Sequence, residues 1–276
     1  MKKNKGLIQK LTAAPYLVWM AVFVVVPLIM VAYFAFVTDG GEITAEYIKE
    51  AGQYGGIFWR SVWMAAVATV ICLLISYPVA YILSRMEVKT QSTMLMLVML
   101  PMWMNFLLRT YAWMTLLGNE GVINSLLGMI GLGPFKMLNT QGAVILGMVY
   151  NYIPYMILPL YSVMVKIDGS VLEAAQDLGC GRLKTVVRVV VPLSLPGIMS
   201  GITMVFVPAI STFVISRMLG GGSNLLIGDL IEMQFLGNAY NPNLGAAISL
   251  VLMVMVLIIM TVMRQFDTGD DERVLL

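Results

Sequence analysis

Six times in its 276 residues the chain runs for about twenty residues with almost no charge. A hydrocarbon layer about 30 Å thick needs roughly 20 apolar residues per helical crossing. Inside it a backbone N–H or C=O has no water to bind, so runs this long cross only as helices. The runs lie at about 15–37, 62–84, 93–117, 141–165, 194–216 and 244–263. Only 12% of residues are charged, about half the share of a soluble domain. The fold class this predicts is an all-α integral membrane protein with six transmembrane helices.

Charge placement orients the spans. Twelve Lys and Arg (Lys2, Lys3, Lys5, Lys10, Arg85, Lys89, Lys166, Arg182, Lys184, Arg188, Arg264 and Arg273) fall on one side, and Lys49, Arg60, Lys136 and Arg217 on the other. Basic loops stay in the cytoplasm, so both termini and the 166–192 loop are expected there. The first apolar run is longer than a signal-peptide core and no A-x-A site follows it, so it reads as a retained helix. The expected layout is a cytoplasmic tail at 1–14, a transmembrane domain at 15–265 and a second cytoplasmic tail at 266–276.

Several function classes drop out. The chain has no histidine, which removes imidazole bases and His-ligated metals. Cys72 and Cys180 fall in different compartments, so neither a disulfide nor a metal site is expected. A net charge of +2 gives no reason to expect a nucleic-acid partner. No G-x-x-x-x-G-K-[ST] occurs, so the chain is not expected to bind and hydrolyse ATP itself.

Polar residues inside the spans are the candidates for function. In span 3, Asn105, Arg109 and Trp113 recur every four residues and so share one helical face, with Pro101 a turn earlier as the expected kink. A charge in mid-membrane must snorkel, pair or face water. For Arg109 the reading is a structural charge that snorkels outward and pairs with Glu120, Asp229 or Glu232, with direct substrate contact as the alternative. Residues 118–140 read as a short interfacial helix ended by Gly131 and Gly133-Pro134. Span 4 carries Tyr150-Asn151-Tyr152, Tyr155 and two prolines, which suits a wet face or packing between helices. Span 5 carries Gly197-x-x-x-Gly201, a pair that permits close helix approach, and Pro208, read as a bend. Spans 1 and 6 are uniformly apolar and are expected to face lipid. After Gly220-Gly221-Gly222, residues 225–235 read as a short amphipathic helix near the external side.

The longest polar interruption is the cytoplasmic stretch 171–197. Glu173-Ala174-Ala175 is followed by Gly179 and then by Val189-x-Val191-Pro192. This resembles the EAA loop of ABC-importer permeases, E-A-A-x3-G-x9-I-x-L-P, with Val in place of Ile and Leu. Glu173 and Asp177 lie one turn apart and read as placed near a helix N-terminus, where the dipole favours carboxylates. Two alanines keep the helix slim, and Gly179 and Gly181 read as the sharp exit. Residues 100–113, 172–179, 191–198 and 220–235 resemble the spermidine/putrescine importer permeases, and the B-type subunit in particular.

That resemblance implies a type I ABC-importer permease fold. It implies that Glu173, Ala174, Ala175, Asp177, Gly179 and Pro192 couple the chain to a cytoplasmic ABC ATPase dimer, which binds the ATP and Mg. A homologous second permease and an extracytoplasmic polyamine-binding protein complete the expected assembly in the bacterial cell membrane. A polycation needs carboxylates or aromatic faces along its path, the latter contributing about 0.5–2 kcal/mol each. Asp229 and Glu232 are the candidate carboxylates; Trp103, Tyr111, Trp113, Tyr152 and Tyr155, with Asn105, are the other path candidates. A different solute, or an ATP-independent transporter or channel, remains the alternative.

Overall fold

The computed structural model describes residues 15–268 except 39, 223 and 238, with side chains described to 263. The expected tail at 1–14 and the end of the C-terminal tail, 269–276, lie outside the described residues. The described chain is helical, with one isolated bridge between Val37 and Ile43.

Among the described residues thirteen helices follow in order. They are α1 (Pro15–Phe36), α2 (Glu46–Gln53), α3 (Gly55–Ser84), α4 (Val88–Trp103), α5 (Phe106–Leu117), α6 (Val122–Met129) and α7 (Gln141–Met164). Then come α8 (Gly169–Asp177), α9 (Arg182–Leu193), α10 (Leu195–Ile210), α11 (Val214–Gly220), α12 (Ile227–Leu236) and α13 (Pro242–Thr268). α1, α3, α7 and α13 are each long and apolar enough to cross a membrane alone. Two further candidate crossings are bent helix pairs. The chain turns by 86° between α4 and the α5–α6 segment, and by 70° between α9 and α10.

The first bend corrects the expected kink. Pro101 sits inside α4, and the break falls at Asn105. Asn105 leaves helical geometry, and its side-chain oxygen accepts from the backbone N–H of Leu107 (2.8 Å) and Leu108 (3.4 Å). That is an N-cap, which satisfies donors a helix start would orphan. Arg109 and Trp113 therefore share a face on α5, while Pro101 belongs to another helix axis. At the second bend, α9 opens into a wide π-turn over Val186–Val190 just before Pro192. A proline has no N–H to close the ordinary i→i−4 bond, and a π-bulge is one way the helix absorbs that loss.

The chain divides into two compact units, one within Met1–Gly55 and Leu230–Met255, the other within Gly56–Asp229 and Val256–Leu276. In the first, the α1–α2 connection closes through Thr44 N–H donating to the Phe36 carbonyl at 2.8 Å. Leu244, Ala246, Ala247 and Ile248 bury the start of α13, so span 6 is not lipid-facing throughout. α1 buries almost nothing, as its apolar sequence predicts.

In the second unit α7 is the axis, with 12 of its 24 residues buried. Met148, Met156, Leu160 and Met164 of α7 are fully buried, as are Ile210, Ile215 and Leu219 of α10 and α11. In lipid the gain from such packing is mainly close dispersion contact. The small residues explain the closeness. A Cβ on Gly197 would lie 3.0 Å from the Pro159 carbonyl oxygen, and one on Gly201 would strike the Met156 sulfur. The Gly197-x-x-x-Gly201 expectation is met by α10 lying on α7.

Candidate functional site: the 166–192 loop and the intramembrane polar groups

α8 is built by its two caps. Asp168 is its N-cap, and the carboxylate accepts from the Ser170 N–H at 3.0 Å. That backbone bond, with one from the Ser170 hydroxyl, holds the Asp168 carboxyl below the ordinary aspartate range. At the other end Gly179 takes the left-handed conformation, φ +82°. Its N–H donates to the Gln176 carbonyl (2.9 Å), and the Cys180 N–H donates to that of Ala175 (3.0 Å). These are the two bonds of a Schellman ending, which needs a residue that tolerates positive φ.

Two sequence expectations change here. The carboxylate at the start of α8 is Asp168, not Glu173 or Asp177. Glu173 falls mid-helix and Asp177 is its last residue, where the dipole disfavours a negative charge. The helix starts earlier than expected because Asp168-x-Ser170 is itself a capping sequence. Gly181 is also not part of a left-handed exit: it has φ −66° and only Gly179 makes the turn.

Leu172 alone of α8 is well buried, in a small cluster with Ile167 and Val190 against which Tyr81 and Val189 pack. Glu173, Ala174, Asp177 and Gly179 lie exposed and Ala175 half-buried. Pro192 is exposed at the far end of α9. Flanking the Gly179 turn, Leu178 is 86% exposed and Leu183 82% exposed. Two bare leucines side by side form an apolar ridge that asks for a partner. The motif did not single them out, since they fall in its variable positions.

The intramembrane residues separate into groups. Trp113 stacks edge-on against Tyr150 at 5.4 Å between ring centres, and Tyr152 against Tyr155 at 6.4 Å. Tyr152 is buried and donates its hydroxyl to the Pro208 carbonyl at 3.3 Å. Tyr155, Tyr111 and Trp103 are exposed, Trp103 as the last residue of α4. Asn105 is exposed, but its oxygen is engaged in the cap of α5.

Asp229 is 2% exposed and caps α12: its Oδ2 accepts from the Leu226 N–H at 2.8 Å. Buried Ser61 accepts from the next N–H, Ile227, at 2.8 Å. The start of α12 comes this close because Gly228 has no side chain; a Cβ there would strike the Ser211 carbonyl oxygen. Glu232 lies one turn further along α12 and is half-buried.

Arg109 departs from the expected snorkel. It is 8% exposed, and its Nε and Nη1 are buried with no hydrogen-bond partner. The guanidinium instead stands 6.0 Å from the centre of the Phe106 ring. None of Glu120, Asp229 or Glu232 satisfies those two nitrogens.

Four helices long and apolar enough to cross a membrane and two bent pairs, with an exposed, doubly capped helix between α7 and α9, define an inner-membrane permease with the type I ABC-importer fold. The chain belongs to the binding-protein-dependent transport system inner membrane components, whose family model matches residues 76–269. Within that family it is 38% identical over 272 residues to the spermidine/putrescine transport system permease protein PotB of Haemophilus influenzae, covering 95% of each chain. To PotB of Escherichia coli it is 35% identical over 246 residues, 86% of this chain and 89% of that one. Among solved structures it is similar in fold to a bacterial ABC transporter involved in import of the acidic polysaccharide alginate. The TM-score is 0.81 at 16% identity, covering 95% of this chain and 96% of that one.

Proposed function

We propose that this chain is a permease subunit of an ATP-driven importer that carries spermidine or putrescine into the cell. The observation that carries the polyamine reading is the 38% identity to the Haemophilus PotB along nearly the whole of both chains. The coupling reading rests on α8, which stands exposed between two well-formed caps with Leu178 and Leu183 bare beside it.

In this reading the chain does no covalent chemistry. A homologous second permease completes the pathway, a binding protein delivers the polyamine from outside, and a cytoplasmic ATPase dimer holds ATP and Mg. Both termini lie in the cytoplasm, as the Lys and Arg asymmetry favours. Closure of the ATPases pushes α8 through Glu173, Ala174, Ala175, Asp177 and Gly179, with Pro192 at the far end of the loop. The polyamine passes the aromatic faces of Trp113 and Tyr155, where each ammonium gains about 0.5–2 kcal/mol. Glu232 supplies the carboxylate on the external side. A different small solute is the runner-up; a channel or secondary transporter would leave α8 and its ridge without a purpose.

The test is uptake of labelled spermidine and putrescine into vesicles holding this chain with its neighbouring subunits. The expected result is uptake that requires both ATP and the binding protein; uptake indifferent to ATP overturns the proposal. Glu232→Gln combined with Asp229→Asn tests the path. The asparagine oxygen can still accept from Leu226, so the α12 cap survives, and unchanged uptake of both polyamines removes the carboxylates from the pathway.

A further inference from the structure

Three side chains of one stripe on span 2 hold the coupling loop at its entry, its middle and its exit. Tyr77 and Tyr81 lie on the last turns of α3 and Arg85 just past its end, spaced i, i+4, i+8 so that they share a face. At the entry, Arg85 Nη1 donates to the Ile167 carbonyl at 3.0 Å and Nη2 to the Met164 carbonyl at 3.4 Å. Those carbonyls form the elbow between α7 and α8. In the middle, Tyr81 packs on the Ile167, Leu172 and Val190 cluster, and the Arg85 guanidinium lies 5.7 Å from its ring centre. At the exit, the Tyr77 hydroxyl is hydrogen-bonded at 3.1 Å to Ser194 Oγ, at the corner where α9 turns into α10.

A second anchor fixes the end of α3 itself. Gln91 Nε2 donates to the carbonyls of Met86 (2.7 Å) and Ser84 (3.4 Å), and its Oε1 accepts from the Tyr161 hydroxyl of α7 at 2.8 Å. The turn that carries Arg85 is therefore held to α7 at Tyr161, within one turn of the elbow that Arg85 grips.

We propose that Arg85 is the positioning residue through which movement of the coupling loop is passed to span 2. α7 and α10 are joined to the loop by the chain itself. α3 meets it through the Tyr77, Tyr81 and Arg85 side chains, so displacement of α8 reaches α3 through them. Arginine suits the entry because its planar fork can donate to two carbonyls at once while its face lies on a ring; a lysine ammonium matches only part of this. Met164 ends α7, where the negative end of the helix dipole favours a cation, and the Ile167 carbonyl three residues on makes the shorter of the two bonds. Sequence reading had placed Arg85 only among the basic residues that orient the spans.

The inference rests on the coupling reading of α8, and the experiment separates the two. The reconstituted transporter, with all subunits, is assayed for ATP hydrolysis and for labelled spermidine uptake. With Arg85→Ala, hydrolysis should continue while uptake per ATP falls roughly tenfold or more, the scale of losing hydrogen bonds from a charged donor. Arg85→Lys should recover part of that ratio and Arg85→Gln less. A residue that merely held the fold together would lower uptake and hydrolysis in step, leaving the ratio unmoved. If the ratio in all three variants equals that of the parent, the proposal is overturned; if Arg85→Ala fails to assemble, the lysine and glutamine variants decide by the same ratio. Gly179→Leu serves as the control for the underlying reading. Normal ATP-driven uptake in that variant defeats the coupling role of α8, whatever the Arg85 variants do.

Discussion

Replacing Gly179 by alanine isolates one physical quantity. Gly179 holds φ +82°, and a Cβ built there meets no atom within 4 Å. Nothing is crowded, so the whole effect is backbone conformation. An L-residue in the left-handed region costs about 1–2 kcal/mol. The alternative for the chain is to leave that region and give up the bonds from Gly179 to Gln176 and from Cys180 to Ala175. α8 has nine residues, far below the length at which a helix stands alone in water. Its last turn, which carries Asp177 and aims Leu178, therefore depends on that ending.

A penalty of this size lowers the share of loops in the competent shape by a factor of about 5–30. The assay is ATP-driven uptake in vesicles, with affinity for the isolated ATPase subunit as the second readout. Gly179→Asn should lose less than Gly179→Ala, because asparagine tolerates the left-handed region better. Gly181→Ala is the internal control. Gly181 has φ −66° and no neighbour within 4 Å of a Cβ, so that change should leave uptake near the parent level. Equal loss in the two alanine variants, or none at Gly179, would refute the reasoning.

Other outcomes follow from the same geometry. Lowering the pH should leave the α8 N-terminus intact through the ordinary aspartate range, because Asp168 is held ionised below it; the cap should be lost only as pH falls through that lowered value. Amide exchange at Ser170 reads this, and Asp168→Asn should remove the pH dependence while keeping the cap. Leu178→Glu should weaken binding of the ATPase subunit about 10- to 100-fold, the scale of a buried leucine's 1.5–3 kcal/mol, without shifting the chain's own thermal midpoint. Arg109→Met should raise the thermal midpoint of the isolated chain in detergent, since each unsatisfied buried donor costs about 1–3 kcal/mol; a lowered midpoint would mean that the guanidinium is fully partnered.

Which parts of this arrangement the sequence reveals depends on the kind of signal. Continuous spans are legible because length and hydropathy alone define them: the runs at 15–37, 141–165 and 244–263 become helices with ends within a few residues. The bends are not, because hydropathy carries no direction. Asn105 reads as one more polar residue on a helical face until its side chain is seen to cap the next helix, while Pro101, the expected breaker, stays inside α4. The family motif points to the loop that carries α8, but the helix start read from it is late, because Asp168-x-Ser170 lies just before the motif begins. Arg109 shows a further limit. Its cost in lipid is plain from the sequence, but whether a carboxylate reaches it is a fact about folding in three dimensions.

The bracing of α8 is the least legible feature and the most consequential. A nine-residue helix is too short to hold its shape alone in water. Here Asp168 fixes its first turn, Gly179 its last, and Leu172 is keyed under Val190 and Tyr81. The elbow before it is gripped by Arg85, and the corner after the loop is fixed by Ser194, which donates to the Val191 carbonyl at 3.1 Å or shares its proton with Tyr77. The Arg85, Tyr77 and Leu172 contacts join residues far apart in the chain, so no local pattern announces them. Yet the spacing of Tyr77, Tyr81 and Arg85 was on one face all along. In the coupling reading, a push on α8 acts on a unit braced at its entry, its middle and its exit, and the motif covers only the surface a partner would touch.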